Sequence, residues 1–159
     1  MSSTRVIDDE IEFGDELCKK VYLSRVASMK TLDQTFGLKY RRLAKDSVIA
    51  ELPVGDHLLQ PFGLLHGGVN VAVAESCCSI GAFLNISGVA DDTSSTAVGI
   101  EINANHVKSA LPGQVVTCRA TPEYIGRQTQ VWTARLTVDN ALTSIVRCTL
   151  MVIKAVPRL

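Results

Sequence analysis

The chain has 159 residues, 47% hydrophobic and 20% charged, a length and balance that suit one globular domain able to bury a core without metal or disulfide staples. Its 16 basic and 16 acidic residues cancel, which argues against nucleic acid as the main partner, because phosphate neutralisation needs an excess of Lys and Arg. The five cysteines (Cys18, Cys77, Cys78, Cys118 and Cys148) are odd in number and lack a C-x-x-C spacing, so they read as small buried apolar residues in a reducing compartment, with no metal site.

Residues 1–16 are rich in Asp and Glu and read as a peripheral arm without the apolar run of a secretory signal. Leu17, Val21, Val26 and Met29 predict a short helix. Alternation at Phe36, Leu38 and Tyr40 predicts a strand, and residues 47–53 predict its partner across a Lys45-Asp46 turn. A loop with two prolines follows over 53–65. Residues 68–84 form the one strong helix, with Val69, Val73, Ile80 and Leu84 among many small residues, a composition suited to burial against a sheet. Its apolar run is broken by Asn70, Glu75, Ser76 and Ser79, which argues against a membrane span.

Residues 87–96 read as a loop, and four strands follow: 96–107, 114–124, 128–138 and 141–153, joined by short turns that include Asp139-Asn140. Trp132, Ala134, Leu136 and Val138 share one face of the third, and Val146, Cys148, Leu150 and Val152 one face of the fourth. The order β-β-α-β-β-β-β predicts an α+β architecture, an antiparallel sheet with one long central helix. Residues 1–27 form an arm with a short helix, 28–154 the domain, and 155–159 a tail. The tail ends Pro157-Arg158-Leu159, an off-pattern relative of the S-K-L address, so a peroxisomal matrix location stands beside a cytoplasmic one.

Glu75 is the chemical oddity, an acid inside an apolar helix, where desolvation makes a carboxylate a stronger base or nucleophile. Alone, such an acid is more often structural. His66-Gly67-Gly68 changes the reading: glycines let backbone approach a ligand, and free N–H groups at a helix start suit an oxyanion. Ser79 lies at i+4 from Glu75, on the same helix face, and Gln60 and His66 add loop donors. Gly67 and Glu75 lie eight residues apart, about 12 Å along a helix, which is far for one subunit to bring both to one carbonyl. That gap points to a site completed across a dimer interface.

Gln60-Pro-Phe-Gly-Leu-Leu-His-Gly-Gly68, followed by Ala74-Glu75-Ser76, resembles the hotdog thioesterases, nearest to the 1,4-dihydroxy-2-naphthoyl-CoA thioesterases and the enterobactin-pathway proofreading thioesterase. The likeness continues through residues 98–110 and 125–132 and covers about 28–154. It implies a hotdog fold, a sheet wrapped around the central helix, and hydrolysis of an acyl-CoA without a cofactor. Glu75 is then the nucleophile or general base, Gly67 polarises the carbonyl with Gln60 and His66, and Ser79 positions water. Gly68, His106, Lys108, Gly126, Arg127 and Gln128 fall in the CoA-binding regions, where cationic Lys108 and Arg127 suit a polyanion. The family assembles as homodimers that form homotetramers. The alternatives are a proofreading thioesterase on carrier-protein-bound acyl groups, a hotdog dehydratase, and a non-catalytic acyl-CoA-binding module. The Cys77-Cys78 pair and the polar loop at 87–96 depart from the family pattern, near where acyl specificity is shaped.

Overall fold

Period-two alternation in the C-terminal half builds long strands, and they wrap the one long helix. The computed structural model describes residues 11–27, 30–86 and 95–154. A short strand β1 (Glu12–Phe13) leads to helix α1 (Glu16–Val21), which Asp15 caps by accepting the Cys18 N–H at 2.8 Å. One π-helical turn (Tyr22–Val26) continues α1, and helix α2 (Leu32–Phe36) ends at Gly37, whose φ of 75° a side chain would resist. Strands β2 (Lys39–Leu43) and β3 (Val48–Pro53) pair antiparallel. A 3-10 turn (Asp56–Leu58) precedes the central helix α3 (Gly67–Leu84). Strands β4 (Ser95–His106), β5 (Val115–Ile125), β6 (Thr129–Val138) and β7 (Ala141–Lys154) complete a seven-stranded sheet in the order β1-β2-β3-β5-β6-β7-β4. This is the α+β hotdog arrangement that the resemblance implied.

Three expectations change. Residues 12 and 13 are not arm but pair in parallel with β2. Phe36 closes α2 instead of opening a strand, because Gly37 ends that helix and only then does the chain extend. Most consequential, β4 is not joined to β5 by a tight turn: it pairs with β7, from Ser95↔Lys154 to His106↔Ser144, and becomes the sheet's edge. Alternation reports which face is buried but not which neighbour is paired. The expected loop at 87–96 lies outside the described residues except for Ser95 and Thr96, which open β4; the tripeptide 157–159 lies outside them entirely.

The core sits between α3 and the concave face of the sheet. Val73, Ala74, Cys77, Cys78, Ala82 and Leu84 are buried on α3, facing Val116, Cys118, Trp132 and Cys148. Gly81 is required there, since a Cβ would lie 2.4 Å from the Trp132 ring. Buried Gln130 donates to the Ala82 carbonyl at 3.0 Å and accepts the Trp132 N–H at 3.0 Å, so the polar atoms of this contact are satisfied. All five cysteines are free and buried, as expected. A hydrogen bond with Cys118, then burial, holds the Cys77 thiol well above its ordinary pKa; Cys148 and burial do the same for Cys78. Burial pushes Cys18 up to about 11. These three thiols are therefore protonated, packing residues at neutral pH.

Candidate active site

The start of α3 organises the first part of the site. His66 is the N-cap, and its Nδ1 accepts the Gly68 N–H at 2.9 Å. An accepting ring nitrogen carries no proton, so His66 keeps its proton on Nε2. The Val69 N–H goes to the His66 carbonyl at 3.0 Å, and the Gly67 N–H has no partner among the described residues, at the positive end of the helix. Gln60 is anchored by its backbone: its N–H donates to Leu64 at 2.8 Å, and its Oε1 accepts from Phe62, which leaves the side-chain –NH2 as the free donor. Gln60, Gly67, His106 and Lys108 line one cavity of about 290 Å3 with Asn70. A Cβ on Gly67 would lie 2.9 Å from His106 Nε2, so the glycine is what lets the imidazole close over the helix start.

Glu75 lies two turns further on and is half-buried, accepting no hydrogen bond among the described residues. Its Oε1 occupies the space that a Cβ of Gly99 would approach to 2.7 Å. Gly99 opens a bulge in β4, where the register slips between Gly99↔Leu150 and Glu101↔Thr149. The expectation of a desolvated acid is therefore not met within one subunit, because the strand beside Glu75 is the sheet's open edge. The Glu75 charge reaches the thiols behind it and opposes ionisation of Cys78 and Cys148, although the hydrogen bond from Cys78 leaves Cys148 lowered overall.

Ser79 does not bond Glu75. It lines a second cavity of about 280 Å3 with apolar walls that include Val21, Val26, Ile80 and Phe83. The charged groups of this cavity are Arg25, stacked 5.9 Å over the Phe83 ring, and Asp33. The Asp33 carboxylate accepts from Ser76 at 2.6 Å and from Tyr40 at 2.7 Å, which fixes it to the cavity wall.

Gly126, Arg127 and Gln128 form the β5–β6 turn at the far end of α3, where Gly126 and Arg127 line a cavity of about 170 Å3 with Asn85. Arg127, Gln128 and Lys108 are exposed. The 18 residues of α3 span about 27 Å, so one subunit does not bring this turn to His106 and Lys108. Sequence reading missed four residues: Gly99, Asp33, and the pair Asn70 and Ser144 behind His106. A glycine inside an alternating strand was the available signal for Gly99. Ser144 had none, since His106 is 38 residues away, and the contact that brings Asp33 to α3, Ser76, is 43 residues away.

Residues 62–144 match the thioesterase superfamily family model. A 1,4-dihydroxy-2-naphthoyl-CoA hydrolase of Listeria monocytogenes is 40% identical over 77% of this chain and 96% of its own. Among solved structures, a thioesterase from Haemophilus influenzae superimposes with a TM-score of 0.71 at 33% identity, covering 89% of this chain and 91% of that one. A variant of a Pseudomonas aeruginosa thioesterase does so with a TM-score of 0.71 at 32% identity, covering 88% and 94%.

Proposed function

The chain belongs to the thioesterase superfamily and is a thioester hydrolase; from this premise we propose that its substrate is an aromatic acyl-CoA of the 1,4-dihydroxy-2-naphthoyl-CoA type, with Glu75 as nucleophile or general base. One observation carries the reading: the carboxylate of Glu75 stands against Gly99 at the edge of the sheet, two turns from the Gly67 N–H, and neither group has a hydrogen-bond partner among the described residues. The name of the Listeria relative supports the acyl class. So does the cavity beside Ser79, whose apolar walls suit a ring and whose Asp33 carboxylate suits a ring hydroxyl.

In this reading the acyl group lies against Ser79, Ile80 and Phe83, and its thioester carbonyl takes hydrogen bonds from the Gly67 N–H and the Gln60 –NH2. Attack by Glu75 breaks the C–S bond and gives a mixed anhydride that water opens; alternatively, Glu75 takes the proton of an attacking water that Ser79 orients. His106, Lys108, Gly126, Arg127 and Gln128 hold the CoA, with the two cations on its phosphates.

A homodimer completes the site. Among the described residues the 12 of β4 form an unpaired edge that exposes Val98 and Ile100, which favours antiparallel pairing with a second copy. Such pairing sets two α3 helices side by side and supplies the Gly67 end of one to Glu75 of the other. Phe62, 88% exposed beside Gln60, gains a covering surface. Exposed Tyr124 and Ile125 on β5 favour a further contact that makes a homotetramer.

Release of free CoA from 1,4-dihydroxy-2-naphthoyl, benzoyl, phenylacetyl and fatty acyl thioesters tests the substrate class, with a carrier-protein thioester as the competing arm. Highest kcat/KM on the hydroxyaryl thioester is expected; preference for the carrier-bound or fatty acyl substrate overturns the assignment. One turnover in 18O-labelled water tests the anhydride route: label in the Glu75 carboxylate shows an anhydride that water opened at the Glu75 carbonyl, whereas the general-base route places all label in the product acid.

A further inference from the structure

Asn70, in the first turn of α3, lines the cavity beside Gly67 but is only 5% exposed. Its –NH2 donates to Ser144 Oγ at 3.2 Å, while its carbonyl oxygen is the buried side-chain oxygen left without a partner among the described residues. An apolar side chain of similar size would avoid that unpaired oxygen, which costs stability. The amide therefore earns its place through the hydrogen bond it donates.

That bond sets a direction. Ser144 is fully buried on β7, directly opposite His106 on β4. Its oxygen meets two side chains, the Asn70 –NH2 and His106 Nδ1 at 2.9 Å. An amide –NH2 only donates, so it uses the Ser144 oxygen as acceptor and leaves the hydroxyl proton for His106 Nδ1. A ring nitrogen that accepts is bare. The His106 proton then lies on Nε2, the atom 2.9 Å from where a Gly67 Cβ would stand.

We propose that Asn70 and Ser144 are positioning residues that fix His106 as a neutral imidazole with its proton on Nε2, presenting an N–H donor to a carbonyl oxygen of the thioester or of its pantetheine arm. The ligand half of this statement rests on the reading of the cavity as part of an acyl-CoA site; the tautomer half does not. The chain runs one way, from amide to hydroxyl to imidazole, and ends beside the Gly67 N–H. His66, whose Nδ1 accepts the Gly68 N–H, likewise carries its proton on Nε2. Both imidazoles are then donors, and proton abstraction falls to Glu75.

Long-range 1H–15N spectra of the full-length, 15N-labelled protein test the tautomer at about pH 8.5, where histidines of ordinary pKa are neutral. The chain has three histidines, and His106→Gln assigns the one in question. A bare Nδ1 and a protonated Nε2 are expected for His106; a proton on Nδ1 means the amide is turned over and overturns the proposal. Ser144→Ala should shift the His106 Nδ1 resonance toward a tautomer mixture, and an unchanged spectrum counts equally against it.

A double-mutant cycle reads the role in turnover. Ser144→Ala should lower kcat/KM about 10-fold in the parent and less than about twofold on the His106→Gln background, where no ring remains to orient. Equal losses on both backgrounds would mean that Ser144 only supports the fold. Absence of turnover with every thioester would refute the hydrolase substrate assignment, while the spectra would still decide the tautomer.

Discussion

The two ends of one helix follow opposite rules. Around Gly81, near the end of α3, polar atoms are paired: Gln130 satisfies both the Ala82 carbonyl and the Trp132 N–H, and the packing leaves no room for a methyl group. Around Gly67, at its start, groups are left without partners among the described residues: a backbone N–H and the Gln60 –NH2, beside a cavity of about 290 Å3 that His106 lines. Glu75 stands between them, its carboxylate accepting no hydrogen bond among the described residues. Satisfied polar groups stabilise a fold, whereas unsatisfied ones at an accessible surface are poised for a ligand. In the proposed function, stability and chemistry are thus separated along about 27 Å of α3.

This separation can be broken from either side. Glu75→Gln should lower kcat about 10³-fold, roughly 4 kcal/mol of barrier, with the melting temperature unchanged. A large fall in melting temperature would show that Glu75 belongs to the structural end. Trp132→Ala should cost about 3–5 kcal/mol in urea unfolding, because it removes the largest fully buried side chain among the described residues. Gly81→Ala probes the same contact by overpacking and should cost about 1–3 kcal/mol. At the opposite end, Gly67→Ala displaces His106 and should cost about 10-fold in kcat/KM while denaturation midpoints hold, the reverse of the Gly81 result.

The smallest effect belongs to neither end. The Cys18 thiol, then the Cys18 backbone N–H, hold the Asp15 carboxyl below its ordinary value of 3.8. A depressed folded-state pKa gives stability that is present above 3.8 and lost as pH falls through the folded value. Circular dichroism should show α1 fraying only below that pH, by a small amount, since Asp15 is largely exposed.

Period and composition in the sequence determined the element types, the central helix and the α+β class, because burial on one face writes itself into local alternation. They also marked Gln60, His66, Gly67, Glu75 and Ser79, since a carboxylate in an apolar helix preceded by paired glycines is visible without coordinates. Three things were decided only by tertiary structure. The pairing of β4 with β7 made β4 an open edge and left Glu75 half-buried. The space for its carboxylate came from Gly99, 24 residues further along the chain. The hydrogen bond on His106 Nδ1 came from Ser144, 38 residues away across the β4–β7 ladder. A strand pattern specifies which side chains face inward but not which strand they meet, and each of these features depends on that choice.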